Sequence, residues 1–312
     1  MTSGANTDIS SKSSVLLIYT GGTIGMKEDP HTKALRPFDF RQILNEVPEI
    51  EKFAMKIDAY TFNPPIDSSD VMPNLWVKLA DLIKEQYDSY DGFVVLHGTD
   101  TMSYSASTLS FMLSGLTKPV VFTGSQLPIG VPRTDGKENL ISAVEIASAK
   151  DAEGHALVPE VTVFFGSKLM RGNRTTKVNA EYFNAFTSPN FPPLAEAGIT
   201  IRYNESLIRK PADWDLPLSL WPKLDTRVSI LKIHPGITPQ VVKDILCGAE
   251  TRAIILETYG AGNAPSTKWF IDTVRQATDM GKIIVNVTQC LSGKVDMGIY
   301  ATGKGLKDAG VI

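Results

Sequence analysis

The stretch VLLIY-TGGTIG at residues 15–25 decides how we interpret the whole chain. Its β-prone, apolar first half shows no polar alternation, which predicts a strand buried on both faces. The glycine pair that follows, between Thr20 and Thr23, predicts a tight turn at the end of that strand. In open α/β sheets, binding sites form outside the carboxyl ends of the strands. The stretch therefore predicts a parallel sheet with a functional loop at its rim.

The same pattern occurs twice more along the chain. FVVL at 93–96 leads into HGTDTM at 97–102, and VVF at 120–122 leads into TGSQ at 123–126. Parallel strands end at one edge of a sheet, so the loops would bring hydroxyls, backbone N–H groups and the Asp100 carboxylate together. This combination indicates an enzyme active site.

The bulk properties exclude several classes of protein. The 312 residues suffice for two domains, and a net charge of −3 argues against a nucleic-acid partner. No apolar run approaches the ~20 residues of a membrane helix. The polar residues 1–14 lack the apolar middle of a signal peptide, and the two cysteines, Cys247 and Cys290, favour free thiols. We expect a cytoplasmic protein without a membrane partner.

Strand-like and helix-like segments alternate from residue 15 to about 187. A helix is predicted over 71–87, with Pro73 in its first turn and an apolar stripe through Trp76, Leu79 and Ile83 to Tyr87. Further helices are predicted over 103–113 and 138–149, and a strand over 161–165. This alternation predicts an α/β fold with a parallel sheet covered on both faces.

Six prolines within residues 189–222 exclude a regular helix or a central strand there, so we expect a domain end and a connector. Strands at 228–233, 253–256 and 283–287 follow, with helices opened by Thr238-Pro239 and predicted over about 266–280. We therefore predict an N-terminal catalytic α/β domain over 1–204, a linker over 205–227 and a smaller C-terminal α/β domain over 228–312.

The glycine loop after the first strand allows more than one interpretation. It could be a turn whose threonine caps a helix, and its glycine spacing does not fit a dinucleotide-binding loop. No Gly-Lys-Ser/Thr follows, which excludes a Walker loop. In the functional interpretation Thr23 is a nucleophile, and its weak hydroxyl then needs a base or strong hydrogen bonds nearby.

Other polar residues could complete such a site. The chain has four histidines and no Gly-x-Ser-x-Gly elbow, so we expect His97 to be structural rather than a general base. Lys177, in RGNRTTK at 171–177, is either a solvated cation or, if buried, a base beside a threonine. The segment DSSD at 67–70 is either a helix cap or a carboxylate-binding turn.

Taken together, these segments resemble the L-asparaginase family, specifically its type I, cytoplasmic branch, from about residue 15 to the end of the chain. The matching segments are YTGGTIG at 19–25, DSSD at 67–70, LHGTDTM at 96–102, GSQ at 124–126, RGNRTTK at 171–177, YGAGNAP at 259–265, QC at 289–290, SG at 292–293 and YATG at 300–303.

The resemblance implies hydrolysis of L-asparagine to L-aspartate and ammonia, without a metal or cofactor. Thr23 resembles the nucleophile that forms an acyl-enzyme. Thr99, Asp100 and Lys177 resemble a second catalytic group that moves the proton and activates the second nucleophile.

The resemblance also implies a set of substrate-binding residues. Asp100 would hold the ammonium of the substrate, the 67–69 and 98–99 segments would hold its carboxylate, and glycine-turn N–H groups would stabilise the oxyanion. Asn263 would reach the site of a neighbouring subunit, which implies a homodimer or homotetramer. The full set is Gly22, Asp67, Ser68, Ser69, Gly98, Ser125, Gln126 and Asn263.

Three features depart from the family pattern. The loop at 27–36 lacks the tyrosine that many relatives carry there, so we assign its part to Tyr300. Glu257 stands where some cooperative bacterial members carry an arginine of a regulatory asparagine site, which predicts hyperbolic saturation. The chain stops at Ile312, where relatives continue by about a strand end and a helix, so the second domain would lack part of its cover.

Two alternatives remain. One is the asparaginase-like subunit of a tRNA-dependent amidotransferase, which carries an N-terminal barrel, whereas 14 residues precede Val15 here. The other is a silent amino-acid-binding or lysophospholipase-like protein, against which the intact Thr23, Thr99, Asp100 and Lys177 argue. We expect asparagine to be preferred over glutamine, since the resemblance is to the type I branch.

Overall fold

The computed structural model describes residues 13–28, 35–37, 45–298 and 301–312. The chain divides into two compact units, one ending at Pro222 and the other beginning at Lys223. The predicted α/β architecture with a larger first domain and a smaller second domain is confirmed. The exact limits of the linker predicted over 205–227 stay a prediction.

The first unit is built on an eight-stranded sheet with a parallel centre. Its strands and those of the small side sheets are β1 (Ser14–Tyr19), β2 (Met26–Glu28), β3 (Leu35–Pro37), β4 (Lys56–Thr61), β5 (Gly92–Leu96), β6 (Leu113–Ser114), β7 (Val120–Thr123), β8 (Val161–Phe165), β9 (Lys168–Arg171), β10 (Thr176–Lys177), β11 (Phe186–Thr187), β12 (Ala195–Ala197), β13 (Ile201–Tyr203) and β14 (Ser219–Leu220). The large sheet has the order β13-β12-β9-β8-β7-β5-β1-β4. Neighbours from β8 to β4 are parallel, whereas β9, β12 and β13 extend the sheet as antiparallel strands.

Helices cover both faces of this sheet, as predicted. The helices α1 (Pro73–Glu85) and α2 (Met102–Met112) pack on one face, and α3 (Gly136–Ser148) packs on the other. The side chains of β1 alternate accordingly, with Leu16 facing the first pair and Leu17 facing α3. Both leucines are almost fully buried, which explains why the strand shows no polar alternation.

The crossovers between the parallel strands do not all have the same hand. The steps β5 to β7 and β7 to β8 move in the same direction along the sheet, yet α2 and α3 lie on opposite faces. Two crossovers in one direction with helices on opposite faces must have opposite hands. Since about 98% of such connections are right-handed, this is an exception to a strong rule.

The strand order also places the predicted loops. The chain passes from β1 to β4 on one side and then returns to β5 on the other side, which creates a switch point between β1 and β5. Tyr19 and Leu96, the last residues of these strands, are paired in register. The loops after β1 and β5 therefore leave the sheet side by side, where α/β proteins bind ligands.

The proline-rich stretch contributes edge structure only. The short strands β12 and β13 are the last two on one side of the large sheet, and β14 pairs with β6 in a separate two-stranded sheet. The six prolines lie in the connections before, between and after these strands, where no ladder hydrogen bond is required of them.

The second unit is a three-stranded parallel sheet with helices packed on one face. It contains β15 (Val228–Lys232), α4 (Pro239–Leu246), β16 (Ala253–Thr258), α5 (Lys268–Asp279), β17 (Ile283–Thr288) and α6 (Ala301–Asp308), with the strand order β15-β16-β17. Thr238 caps α4 and Pro239 opens it, as predicted. Side chains from all three helices share one core with Leu231, Ile254 and Ile284. No helix in the described part of the chain is long and apolar enough to cross a membrane.

Candidate active site

Three loops approach one another so closely that only glycine fits between them. A Cβ atom on Gly22, which has φ 94°, would lie 2.4 Å from the Cα atom of Gly98. A Cβ atom on Gly98 would lie 2.5 Å from the Oγ atom of Ser68. The Thr101 hydroxyl then donates to the Ser68 carbonyl at 2.7 Å. The turns after β1 and β5 and the turn before α1 therefore form one contiguous surface.

Lys177 connects the second of these loops to a distant part of the chain. Its Nζ atom donates to Thr99 Oγ1 at 2.8 Å and to Asp100 Oδ1 at 2.7 Å. The lysine side chain is 19% exposed, whereas the Asp100 side chain is 63% exposed. The pairing of β10 with β11 fixes the backbone of Lys177. The structure thus brings Thr99, Asp100 and Lys177 together, as the resemblance implies.

Thr23 stands at the start of a one-turn 3-10 helix, Thr23–Gly25, directly after Gly22. The carbonyl of Gly22 accepts from the Gly25 N–H at 3.2 Å and from the Tyr19 hydroxyl at 3.3 Å. The half-buried Thr23 is therefore held on a turn that is anchored from the core side. This position is compatible with a nucleophile, and the catalytic role of Thr23 stays a prediction.

The turn after β7 supports the same surface. The Thr99 hydroxyl donates to Gln126 Oε1 at 3.2 Å. The carboxylate of Asp135 accepts from the Gln126 N–H at 3.0 Å, and Asn139 donates to the Gly124 carbonyl at 2.9 Å. The hydroxyl of the buried Ser125 donates to the Leu127 carbonyl within this turn.

The Asp67 carboxylate stabilises the turn in which it lies. Its Oδ1 atom accepts from both the backbone N–H and the hydroxyl of Ser69 at 2.9 Å, and it thereby caps the 3-10 helix Ser68–Asp70. These two hydrogen bonds hold the pKa of the Asp67 carboxyl below its usual value, because they stabilise the charged form. The cap interpretation therefore holds for Asp67, and the buried Ser68 is the residue that contacts Gly98.

His97 is structural in its surroundings, as expected. It is 2% exposed, and burial lowers its pKa from 6.5 to about 4 because desolvation penalises the imidazolium. Both ring nitrogens are occupied, Nδ1 with the Gly98 carbonyl and Nε2 with the Ser105 hydroxyl, each at 2.8 Å. The ring is thus sequestered from substrate.

The sequence did not predict the side-chain contacts of Glu160 and Asp135 that support these loops. Arg171, at the end of β9, binds Glu160 through Nε at 2.5 Å and through Nη2 at 2.9 Å, and also donates to the Leu207 carbonyl at 2.8 Å. This pair fixes the start of the segment that ends at Lys177. Neither Glu160 nor Asp135 lies in a recognisable motif, so the sequence carries no signal for either contact.

Two further predicted site residues come from the part of the chain that follows Pro222. Tyr300 lies outside the described residues. Asn263 belongs to the second unit, where it pairs with Tyr259 across a tight turn after β16. Its predicted contribution to a neighbouring subunit stays a prediction.

Among the described residues, one group has metal-ligand geometry, formed by Asp151, Glu153 and His155, whose ligand atoms lie within 4.8 Å of one another. Asp151 Oδ1 already accepts from the backbone N–H groups of Glu153 and His155, as in an ordinary surface turn. The Asp151, Glu153 and His155 side chains are therefore explained by this turn and do not indicate a metal site.

Comparisons with known proteins agree with the geometry. The family model "Asparaginase, N-terminal" matches residues 14–209, and the "Glutaminase/Asparaginase C-terminal domain" matches residues 227–312. L-asparaginase 1 of Escherichia coli (strain K12) is 45% identical over 303 residues, which cover 96% of this chain and 87% of that protein. The 60 kDa lysophospholipase of Mus musculus is 39% identical, over 96% of this chain and 55% of that protein.

A solved structure matches at the level of the whole fold. The crystal structure of L-asparaginase I from Vibrio cholerae superposes with a TM-score of 0.85 at 40% identity, covering 97% of this chain and 88% of that one. Sequence, fold and the arrangement of the glycine loops thus lead to one conclusion: the chain belongs to the asparaginase family, whose members are amidohydrolases.

Proposed function

We propose that this chain is an L-asparaginase that hydrolyses L-asparagine to L-aspartate and ammonia through an acyl-enzyme on Thr23. The observation that carries the proposal is the hydrogen-bonded set of Lys177, Thr99 and Asp100. This set lies on a loop whose Gly98 touches Gly22, the residue immediately before Thr23. Two threonine hydroxyls on adjoining loops suit a reaction with two nucleophilic steps.

In the first step, Thr23 Oγ1 attacks the side-chain amide carbon of asparagine, and the C–N bond breaks to release ammonia. The hydroxyl proton leaves Thr23 and is delivered to the departing nitrogen, a transfer that we assign to Tyr300 on the family resemblance alone. In the second step, water attacks the ester carbon, the bond from that carbon to Thr23 Oγ1 breaks, and a proton from the water returns to Thr23 Oγ1 as aspartate is released. Lys177 and Thr99 form the relay for that proton, because a lysine amine beside a hydroxyl can accept it when it is neutral.

Substrate recognition follows from charge. Asp100 keeps an exposed carboxylate beside Lys177, suited to the α-ammonium of an amino acid. The hydroxyl of Ser68 and the backbone N–H of Gly98 are donors suited to its α-carboxylate. A small amino acid with an amide side chain therefore satisfies both ends of the site while presenting its amide carbon to Thr23.

We extend the proposal to assembly and compartment. The family resemblance of the YGAGNAP segment supports a homodimer or homotetramer in which Asn263 completes a neighbouring site. Cys247 and Cys290 are both free thiols, which suits a reducing compartment such as the cytoplasm. No metal or cofactor is part of the proposed reaction.

The proposal is tested by ammonia release from asparagine and from glutamine under the same conditions. We expect kcat/KM for asparagine to exceed that for glutamine, since accommodating one extra methylene typically costs ~1–3 kcal/mol. Comparable values for the two amides would refute the asparagine preference. Hydrolysis of a lysophospholipid without ammonia release from either amide would support the lysophospholipase alternative instead.

A further inference from the structure

A chain of hydrogen bonds runs from the half-buried Trp76 through the buried Ser105 to the buried His97, which precedes Gly98 in the glycine loop. The Trp76 Nε1 atom lies 2.8 Å from Ser105 Oγ, and Ser105 Oγ lies 2.8 Å from His97 Nε2. His97 Nδ1 lies 2.8 Å from the Gly98 carbonyl oxygen. These hydrogen bonds therefore connect Trp76 of helix α1, through Ser105 of helix α2, to the peptide unit between Gly98 and Thr99.

The direction of every hydrogen bond in this chain is fixed by chemistry. An indole N–H can only donate, so Ser105 accepts from Trp76. Because Nε2 of a neutral ring that is protonated at Nδ1 can only accept, Ser105 donates its own proton to His97 Nε2. A carbonyl can only accept, so His97 Nδ1 carries the ring proton. The lowered pKa of His97 keeps the ring neutral, which preserves this tautomer.

Because the peptide unit between Gly98 and Thr99 is planar, fixing its carbonyl also fixes the direction of the Thr99 N–H. The Gly98 carbonyl and the Thr99 N–H belong to the same peptide unit, and in a trans peptide they point in opposite directions. Because the carbonyl is held against the buried ring, the Thr99 N–H is aimed away from it. Within the described chain, that N–H has no acceptor.

We propose that His97 is a positioning residue that holds the Gly98–Thr99 peptide so that the Thr99 N–H stabilises the oxyanion formed during amide hydrolysis. This inference rests on the proposed function. His97 itself touches no substrate, since the ring is buried and both nitrogens are occupied. Its effect is exerted through the rigid peptide unit.

Two substitutions separate this role from a purely structural one. In His97→Asn, the amide nitrogen can occupy the place of Nδ1 and keep the donor to Gly98. In His97→Gln, the amide reaches the place of Nε2 and keeps only the partner of Ser105. Each variant keeps one of the two hydrogen bonds and loses the ring that packs beside Phe122. We therefore expect similar decreases in Tm.

The catalytic effects should differ. One oxyanion donor is worth about 10²–10³-fold in kcat, so a misaligned N–H in His97→Gln should lower kcat by roughly 10- to 100-fold, with a smaller change in KM. His97→Asn should retain about a third or more of the wild-type kcat, since the carbonyl anchor remains. Equal losses in the two variants would overturn the positioning role.

A second measurement does not depend on variants or on activity. In wild-type protein labelled with ¹⁵N-histidine, the nitrogen chemical shifts of His97 should show a neutral ring protonated at Nδ1. A ring protonated at Nε2 would overturn the inference even if His97→Gln failed to fold.

Thr23→Ala separates this inference from the proposed function. An active Thr23→Ala would refute the Thr23 chemistry, whereas an inactive one with equal kcat in the two His97 variants would refute positioning alone.

Discussion

Lys177 shows how burial and two hydrogen bonds decide the interpretation of a single residue. In the sequence it is one of several cations in a polar loop, and such cations are usually solvated. In the structure its ammonium contacts Thr99 and Asp100, and most of the side chain is covered. Because a lysine can exchange a proton with a neighbouring hydroxyl, these contacts favour a chemical role over a structural one.

Lys177→Met tests this role. The variant keeps an unbranched side chain, one atom shorter, and removes the amine, so kcat should fall by about 10³-fold, within the range of general acid–base catalysis. Tm should change little, because Asp100 remains exposed to solvent and contributes little as a surface ion pair. Lys168→Met, at an exposed lysine of β9, is the matched control and should keep wild-type turnover. Near-normal turnover of Lys177→Met would return Lys177 to the role of a solvated cation.

His97 predicts a specific dependence of stability on pH. Its pKa falls from 6.5 to about 4 in the folded chain, so between these values the unfolded chain binds a proton that the folded chain does not. Stability is therefore lost as pH falls through this window, by up to roughly 3 kcal/mol, and His97 contributes no pH dependence above it. Denaturant unfolding of wild type and His97→Asn at pH values between 4 and 7 isolates this effect, because the other titrating groups are common to both. A difference in stability that stays constant with pH would contradict it.

At the scale of elements, the site depends on how closely two turns approach. Gly22 and Gly154 both have a positive φ, 94° and 85°, but a Cβ atom on Gly154 would meet nothing within 4 Å. Gly22 also has ψ 171°, a combination that is essentially restricted to glycine, so a side chain there would be strained as well as in contact with Gly98. Gly154 therefore serves as a control for a positive φ without a contact between loops.

Gly22→Ala should lower kcat/KM by about 100-fold or more, since displacements of about 1 Å in a catalytic site have effects of this size. Gly154→Ala should cost only the ~1–2 kcal/mol of a left-handed alanine and leave turnover unchanged. Steady-state kinetics and Tm of both variants make the comparison. Equal activity of the two would show that the loops do not need to touch.

Many of the strands and helices could be predicted from the sequence. The buried strands β1, β5, β7 and β8 follow from uninterrupted apolar runs, and α4 follows from its Thr238-Pro239 start. The antiparallel strand β9 was not predicted. Gly166 and Ser167 both have positive φ and form the two-residue turn of a hairpin, for which Gly-Ser is a weaker sequence signal than Asn-Gly or Asp-Gly.

The remaining features are not encoded in local patterns. The crossovers through α2 and α3 have different hands, and this depends on packing across the whole sheet. The general rule predicts that both are right-handed. Contacts such as that of Asp135 with Gln126, or of Lys177 with Thr99, join residues that the fold alone brings together. Here the family resemblance supplied what spacing could not.

At the scale of the whole molecule, Glu257 bears on regulation. It lies on β16 in register with Lys232 of β15, and the two side chains are 3.5 Å apart. A carboxylate that is paired with a lysine cannot replace an arginine that would grip the carboxylate of a second asparagine. An allosteric response needs a second site whose affinity differs between two states. The loss of this contact therefore favours simple saturation.

Initial rates measured over a wide range of asparagine concentrations test this expectation. The rate should rise hyperbolically, with a Hill coefficient of about one, because the substitution removes one contact that a regulatory site would need. A Hill coefficient clearly above one would show that a regulatory site persists without the arginine.

The most direct test of the account is the turnover of Thr23→Ala. Without the hydroxyl no acyl-enzyme can form, so kcat should fall by about 10⁴-fold or more while the fold and Tm are preserved. Thr108→Ala, at a half-buried threonine of α2, is the matched control and should keep wild-type turnover. A Thr23→Ala variant that retains a tenth or more of wild-type turnover with asparagine would contradict the central claim that Thr23 is the nucleophile.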